Sequence, residues 1–162
     1  MKLLKPRLWV SNLSDIPLQE LKNIGIKGLI IDIDNTLVAW DADSPKPEVV
    51  EWMKKAREYG FQITLVSNNK PSRVQHMQAH FFVKGLPRAK KPFSYGLKKA
   101  LRMMKLSRRE TAVIGDQIFT DVLGGNRMDM YTILVTPIKS KEFWWTTLVR
   151  KAEKKLLKRM KL

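Results

Sequence analysis

There is no cysteine among the 162 residues. That excludes a disulfide framework and a thiolate metal site, and it fits a reducing compartment. No apolar run approaches the ~20 residues that a bilayer-spanning helix needs. The opening seven residues are basic, but their apolar run is too short for a secretory signal. Acidic residues are scarce, 15 Asp and Glu against 31 Lys and Arg, for a net charge of +16. Such a chain is suited to anions: nucleic acid, an anionic lipid surface or an anionic substrate. Internal repeats and low-complexity linkers are absent too. With 44% hydrophobic residues, wholesale disorder is excluded, and the length is that of one domain with its own core.

What is present is organised around Leu29-Ile30-Ile31-Asp32-Ile33-Asp34-Asn35-Thr36-Leu37. Its apolar start has the length and β-branching of a buried strand, read here as 28–33. Asp and Asn form strands poorly, so the strand should end near Asp32 and hold two carboxylates at the carboxyl edge of a sheet. Two acids so close repel unless a cation or a shared proton lies between them. Hard oxygen ligands suit Mg²⁺. The plainer reading is an Asx-rich turn at a strand end.

Further along, residues 1–12 read as an edge strand or docking arm. A first helix opens at Pro17 and closes at Gly25. Residues 37–47 form a turn-rich flap, and a helix over 49–59 carries Val50, Met53, Ala56 and Arg57 at helical spacing. A strand over 61–66 ends at Ser67-Asn68-Asn69, and Pro71 opens a helix over 71–81. Phe82 and Val83 read as a short third strand, followed by Ala89-Lys90-Lys91-Pro92 and a helix over 93–105. A strand over 111–114 runs into Gly115-Asp116. A helix from about Ile118 to Gly124-Gly125 and a strand over 131–135 complete the pattern. Strands alternating with helices predict a parallel α/β sheet with right-handed crossovers. In such a sheet Asp32, Asp34, Ser67, Asn68, Lys91 and Asp116 all follow strands and converge on one crevice.

These motifs, in this order, resemble the haloacid-dehalogenase (HAD) superfamily of phosphohydrolases over roughly residues 28–137. Asp32-Ile33-Asp34-Asn35-Thr36 looks like its first motif, and Ile63-Thr64-Leu65-Val66-Ser67-Asn68 like its second. Ala89-Lys90-Lys91-Pro92 looks like the third, and Gly115-Asp116-Gln117-Ile118-Phe119-Thr120-Asp121 like the fourth. The third and fourth, extended to Asn126, look most like a small bacterial YqeG-type group similar to mitochondrial phosphatidylglycerophosphate phosphatases. The resemblance implies a HAD-like Rossmannoid three-layer fold with a central parallel sheet. It implies Asp32 as nucleophile and Asp34 as general acid/base. Mg²⁺ would be held by Asp32, the backbone carbonyl of Asp34 and Asp116. Ser67 and the amides near Asn68 would hold phosphate oxygens, with Thr36 in the same substrate-binding set. Lys91, directly before proline, would neutralise charge in preference to Lys90. Asp121 would support the metal or the lysine from behind.

Some alternatives stay open at this stage. Ser67 could cap the next helix, Thr36 could be a turn residue, and Asp121 an ordinary first-turn acid. His76 and His80 have metal spacing, but no acid or cysteine goes with them, so surface or core histidines are expected. Leu101, Met103 and Met104 read as core. Neither gap between motifs has room for a cap domain, which needs ~50 residues. The expected site is open and suits a phosphate presented on something large.

Residues 1–138 are expected to form the phosphatase domain and 139–162 a basic amphipathic tail of the same domain. The tail has nine Lys/Arg and two Glu. Trp145, Val149, Ala152, Leu156 and Met160 form its stripe, extended by Phe143, Trp144 and Leu148. Arg150 and the tail's lysines lie largely around that stripe, with the chemistry upstream. The tail suits an anionic membrane interface, or it docks its stripe on the domain. The expectation is therefore a cytoplasmic, peripherally membrane-associated enzyme acting on phosphatidylglycerophosphate. The charge fits a nucleic-acid or ribosomal partner equally well. A non-catalytic binding module would need a broken constellation, and no motif is broken.

Overall fold

The computed structural model describes residues 2–139, the backbone of 144–160, and side chains within that last stretch from residue 150 onward. Its centre is a six-stranded, wholly parallel sheet: β1 (Leu8–Val10), β2 (Gly28–Ile31), β3 (Gln62–Val66), β4 (Lys84–Leu86), β5 (Thr111–Gly115) and β6 (Tyr131–Val135). The strand order is β1-β6-β5-β2-β3-β4. The helices are α1 (Leu18–Asn23), α2 (Pro47–Glu58), α3 (Pro71–Phe81), α4 (Tyr95–Met104), α5 (Leu123–Arg127) and α6 (Trp144–Met160).

Side chains alternate across the strands, so each strand feeds both layers. Leu29, Ile31, Ile63, Leu65, Ala112 and Ile114 pack beneath α2 and α3 with Trp52, Met53, Ala56, Val74 and Met77. Ile30, Val66 and Val113 point the other way, to Leu97, Ala100 and Met104 of α4. Buried on both faces, the strands read as continuous apolar runs, as parallel strands do. Among the described residues no cap domain interrupts the fold, and no helix is long and apolar enough to cross a membrane.

Several local expectations shift. Phe82 and Val83 form no strand: Phe82 closes α3 at φ 55 and is exposed, so the chain turns there and β4 begins at Lys84. In α2 the buried face is Val49, Trp52, Met53 and Ala56, while Val50 and Arg57 face outward. Pro47, placed in the flap, is the residue that opens this helix. Gly124 and Gly125 do not stop a helix. A π turn over Ile118–Val122 runs into α5, which continues to Arg127. The glycines serve close approach, since a Cβ on Gly125 would lie 2.5 Å from Thr132 Cγ2.

The chain crosses from β2 to β3 and β4 on one side, then to β5 and β6 on the other. The gap between the carboxyl ends of β2 and β5 is therefore the topological switch point, where open α/β sheets place their ligands.

Candidate active site

β2 ends at Ile31, but Asp32 still donates its N–H to Ile114 O at 2.9 Å, which ties it to β5. The Ile33 carbonyl then collects the N–H groups of Thr36, Leu37 and Val38. Asn35 adopts φ 62, a left-handed conformation that Asn tolerates, and the chain curls back over the crevice. The curl leaves the buried Thr36 hydroxyl 3.5 Å from Asp32 Oδ2 and 3.3 Å from Asp116 Oδ1. Thr36 thus lies behind the acids as well as in a turn.

Lys91 is buried between two carboxylates. Its Nζ donates to Asp32 Oδ1 and Asp121 Oδ1, each at 2.6 Å. Lys90 is exposed at φ 56, so Lys91 is the lysine at the crevice. Asn68 holds Lys91 in place through its backbone: Lys91 N donates to Asn68 Oδ1 at 2.8 Å, and Asn68 Nδ2 donates to Lys91 O at 3.1 Å. Asn68 lines the crevice, and its side chain clamps the lysine loop. Burial works against charging Lys91, but Asp121 and Asp32 outweigh it and raise its pKa above the usual value. Burial also pushes Asp32 up, to about 7, with Asp121 and Asp34 adding to the rise and Lys91 opposing it.

Asp116 and Asp121 follow β5. Gly115 makes room for Asp121: a Cβ there would lie 2.1 Å from the Asp121 carboxyl carbon. Asp121 is fully committed, to Lys91 through Oδ1 and to the Gln117 N–H, at 3.2 Å, through Oδ2. Oxygens of Asp32, Asp116 and Asp121 all lie within 4.8 Å of one another. Burial raises the pKa of Asp116 well above its ordinary value, and the Arg150 guanidinium only partly offsets this.

Asp34 lies across the crevice, held by Arg73 Nε and Asn69 Nδ2, both at 3.0 Å. Arg73 also donates to the carbonyls of Ala42 (2.6 Å) and Ala39 (3.1 Å), pinning the flap. Ser67 is buried, and its Oγ accepts the Asn69 N–H at 3.0 Å. It shapes the turn before α3, whose N-cap is Lys70. Asp32, Asp34, Ser67, Asn68 and Lys91 line one crevice of about 230 Å³ together with Asn69, Gln117 and Thr120. His76 and His80 lie outside it, exposed on α3. His76 Nε2 contacts Asp43 O, and the His80 ring meets Phe81 edge-on.

Sequence reasoning missed four residues: Asn69, Arg73, Arg150 and Glu153. Asn69 and Arg73 follow the second motif closely, so their nearness to the crevice was a readable signal. Arg150 and Glu153 carried none, being 34 and 37 positions beyond Asp116 in a tail read as amphipathic. Of that stripe Leu156 and Met160 pack on the domain, as the docking alternative expects, and Ala152 does not. Ala152 is exposed, Glu153 is buried, and Arg150, Glu153, Leu156, Leu157 and Met160 face the domain. The expected contributions of Phe143, Trp144, Trp145, Leu148 and Val149 rest on side chains outside those described.

The family described as mitochondrial PGP phosphatase matches residues 1–139. The chain belongs to that family. A Bacillus subtilis (strain 168) protein named Probable phosphatase YqeG is 38% identical over 160 residues, covering 99% of this chain and 93% of that protein. The Arabidopsis thaliana phosphatidylglycerophosphate phosphatase 1, chloroplastic/mitochondrial, is 28% identical over 165 residues. That match covers 95% of this chain and 47% of the plant protein, so the chain spans about half of the plant protein's length. The fold is shared with the cobalt-bound deoxy-D-mannose-octulosonate 8-phosphate phosphatase of Haemophilus influenzae, with a TM-score of 0.54 and 16% identity. That likeness covers 85% of this chain and 90% of the Haemophilus one. This PGP-phosphatase-family chain is thus a phosphatase with a HAD-type fold.

A divalent cation fits the family site. Lys91 takes one Asp32 oxygen; the other, like Asp116 Oδ1, lies by the Thr36 hydroxyl, an all-oxygen donor set. Burial raises Asp32 to about 7 and Asp116 well above its ordinary value, and a bound cation favours the charged carboxylates. Binding of a divalent cation should therefore release protons at pH 6. Calorimetry in buffers of different ionisation enthalpy measures this. No release at pH 6 would contradict it.

Proposed function

We propose that the chain is a Mg²⁺-dependent phosphomonoesterase that works through an aspartyl-phosphate on Asp32. Its substrate is phosphatidylglycerophosphate, met at the membrane surface and converted to phosphatidylglycerol. One observation carries the chemistry: the Asp32 carboxylate stands at the floor of an uncapped crevice, 12% exposed, with Lys91 on one oxygen and, by the other, the Thr36 hydroxyl that also meets Asp116.

In the first step Asp32 attacks phosphorus and the ester P–O bond breaks. Asp34 gives its proton to the departing alkoxide. In the second, Asp34 takes a proton from the water that attacks the aspartyl-phosphate, inorganic phosphate leaves, and Asp32 is restored. Lys91 offsets the negative charge gathered when carboxylate meets phosphate. The backbone around Ser67 and Asn68 holds phosphate oxygens. Mg²⁺, bound by Asp32, Asp116 and the Asp34 carbonyl, would supply Lewis-acid stabilisation of the phosphoryl oxygens.

Asp34→Asn should cut turnover by more than ~100-fold, the scale of general acid–base help. Its metal affinity should change less than that of Asp116→Ala. A reversed order in metal binding would reassign the ligands.

For the substrate, the open crevice favours a phosphate on a large body, because no cap encloses a small metabolite. Phe93 and Tyr95, just past Lys91, are 68% and 55% exposed. The tail's Lys151, Lys154, Lys155 and Lys158 are exposed as well. Aromatic and basic side chains of this kind suit an anionic lipid interface. Deleting residues 139–162 would not test this cleanly, because Arg150 of the tail pairs with Asp116. Exchanging those four lysines for Gln does. The deciding experiment measures phosphate release from phosphatidylglycerophosphate in vesicles, a soluble aryl phosphate and RNA-terminal phosphates, with Mg²⁺ and with EDTA. The lipid should be preferred, only with Mg²⁺, and the lysine exchange should lower activity on vesicles far more than on the soluble ester. Preference for RNA ends would sink the lipid assignment.

A further inference from the structure

Arg150 and Glu153, three residues apart on α6, both turn into the site. Arg150 Nη2 pairs with Asp116 Oδ2, and Nη1 donates to the Asp116 carbonyl oxygen at 2.8 Å. Glu153 is 4% exposed, and its Oε1 accepts the N–H groups of Ile118 (2.7 Å) and Phe119 (3.3 Å). Arg150 Nη1 also lies 3.5 Å from Glu153 Oε2. One helix therefore grips both Asp116 and the turn that follows it. Leu156, Leu157 and Met160 pack on Ile118, Val122 and Leu134, which gives the grip an apolar seat.

The choice of oxygen shows what the grip is for. The guanidinium takes Asp116 Oδ2, whereas Oδ1 faces the Thr36 hydroxyl at 3.3 Å. That same hydroxyl lies 3.5 Å from the Asp32 oxygen that Lys91 does not take. Arg150 thus holds Asp116 from behind and leaves the oxygen next to Asp32 for a cation. A guanidinium competing for the cation's place would lie between those two oxygens.

We propose that α6 is part of the active site, with Arg150 a positioning residue that presents Asp116 to the divalent cation and Glu153 the anchor of the turn beneath. Seating of the helix and binding of the cation then favour each other, and linkage makes that reciprocal. The inference rests on Asp116 being a metal ligand.

The test titrates Mn²⁺ into the full chain and into Arg150→Met, Arg150→Lys and Glu153→Gln, by electron paramagnetic resonance. Partners that orient a metal ligand typically account for 10–100-fold in affinity. Arg150→Met should lose about that much, Arg150→Lys less, and raised Mn²⁺ should recover turnover in both. In the unmutated protein, Mn²⁺ should slow amide hydrogen exchange across 150–160, a readout that needs no variant to fold. Unchanged or tighter Mn²⁺ binding in folded Arg150→Met would overturn the proposal, as would exchange in α6 indifferent to Mn²⁺. If the unmutated chain binds no Mn²⁺, the metal reading itself fails and this inference falls with it.

Discussion

Asp32→Asn should fold normally and release no phosphate above background from any ester. Asn keeps the size of the side chain and can still accept from Lys91 Nζ, but it has no charged oxygen with which to attack phosphorus. Stability should survive the change, because the fold does not favour the charged form of this group. Its pKa is raised by burial to about 7. A raised acid contributes stability that is fully present below its unfolded value near 3.8 and is lost as pH rises through the folded value. In EDTA, the melting temperature of the unmutated protein should therefore fall as pH climbs from about 4 towards 7, and that of Asp32→Asn should fall less. Phosphate release with thermal melts at several pH values checks both parts. A folded Asp32→Asn enzyme with near-normal turnover would remove Asp32 from the nucleophile's role.

The second large effect belongs to Lys91→Met. This side chain is 4% exposed and lies between Asp32 and Asp121. Its removal leaves those carboxylates facing each other without the cation between them. Breaking a buried pair by deleting one partner typically costs about 3–5 kcal/mol. For a chain of this size each kcal/mol shifts the melting temperature by roughly 2–4 °C, so a fall of about 10 °C is expected. Turnover should be lost as well, since nothing else in the crevice offsets charge on that oxygen of Asp32. Mg²⁺ should restore part of the stability and none of the turnover. Lys90→Met is the control: exposed, with no part in the crevice, it should change neither quantity much. If Lys90→Met were the inactive variant and Lys91→Met melted like the unmutated protein, the two lysines would have to exchange roles.

The contrast between those neighbouring lysines shows how far a sequence can be read. Both are lysines of one loop, and in the sequence only the family resemblance, which puts the lysine directly before Pro92, favours Lys91. The structure separates them by turning Lys90 outward at φ 56 and enclosing Lys91 between two acids that lie 59 and 30 residues away. Asn68 makes the same point. Its position after β3 placed it at the crevice, but its two bonds to the Lys91 backbone join loops 23 residues apart. The α2 stripe was shifted because Val50 and Val49 are equally apolar, and only the sheet beneath selects Val49. Gly124 and Gly125 read as a helix stop, when their small size is what lets α5 lie close to β6 and to Pro92.

The sequence by itself determined the strands of the sheet from β2 to β6 (β4 excepted), their parallel sense, and the set of acids, lysine and hydroxyl delivered to their carboxyl ends. Those follow from short-range physics: apolar runs form buried strands, alternation with helices makes them parallel, and parallel strands share one edge. Only the tertiary structure decided how those residues are paired. It set which oxygen of Asp32 meets Lys91, that Arg73 holds Asp34, and that the tail brings Arg150 to Asp116 and Glu153 to the turn beside it. Charge in a sequence carries no direction. A basic residue on an amphipathic helix reads the same whether it faces solvent, lipid or a carboxylate, and only packing of the helix against the sheet selects among them.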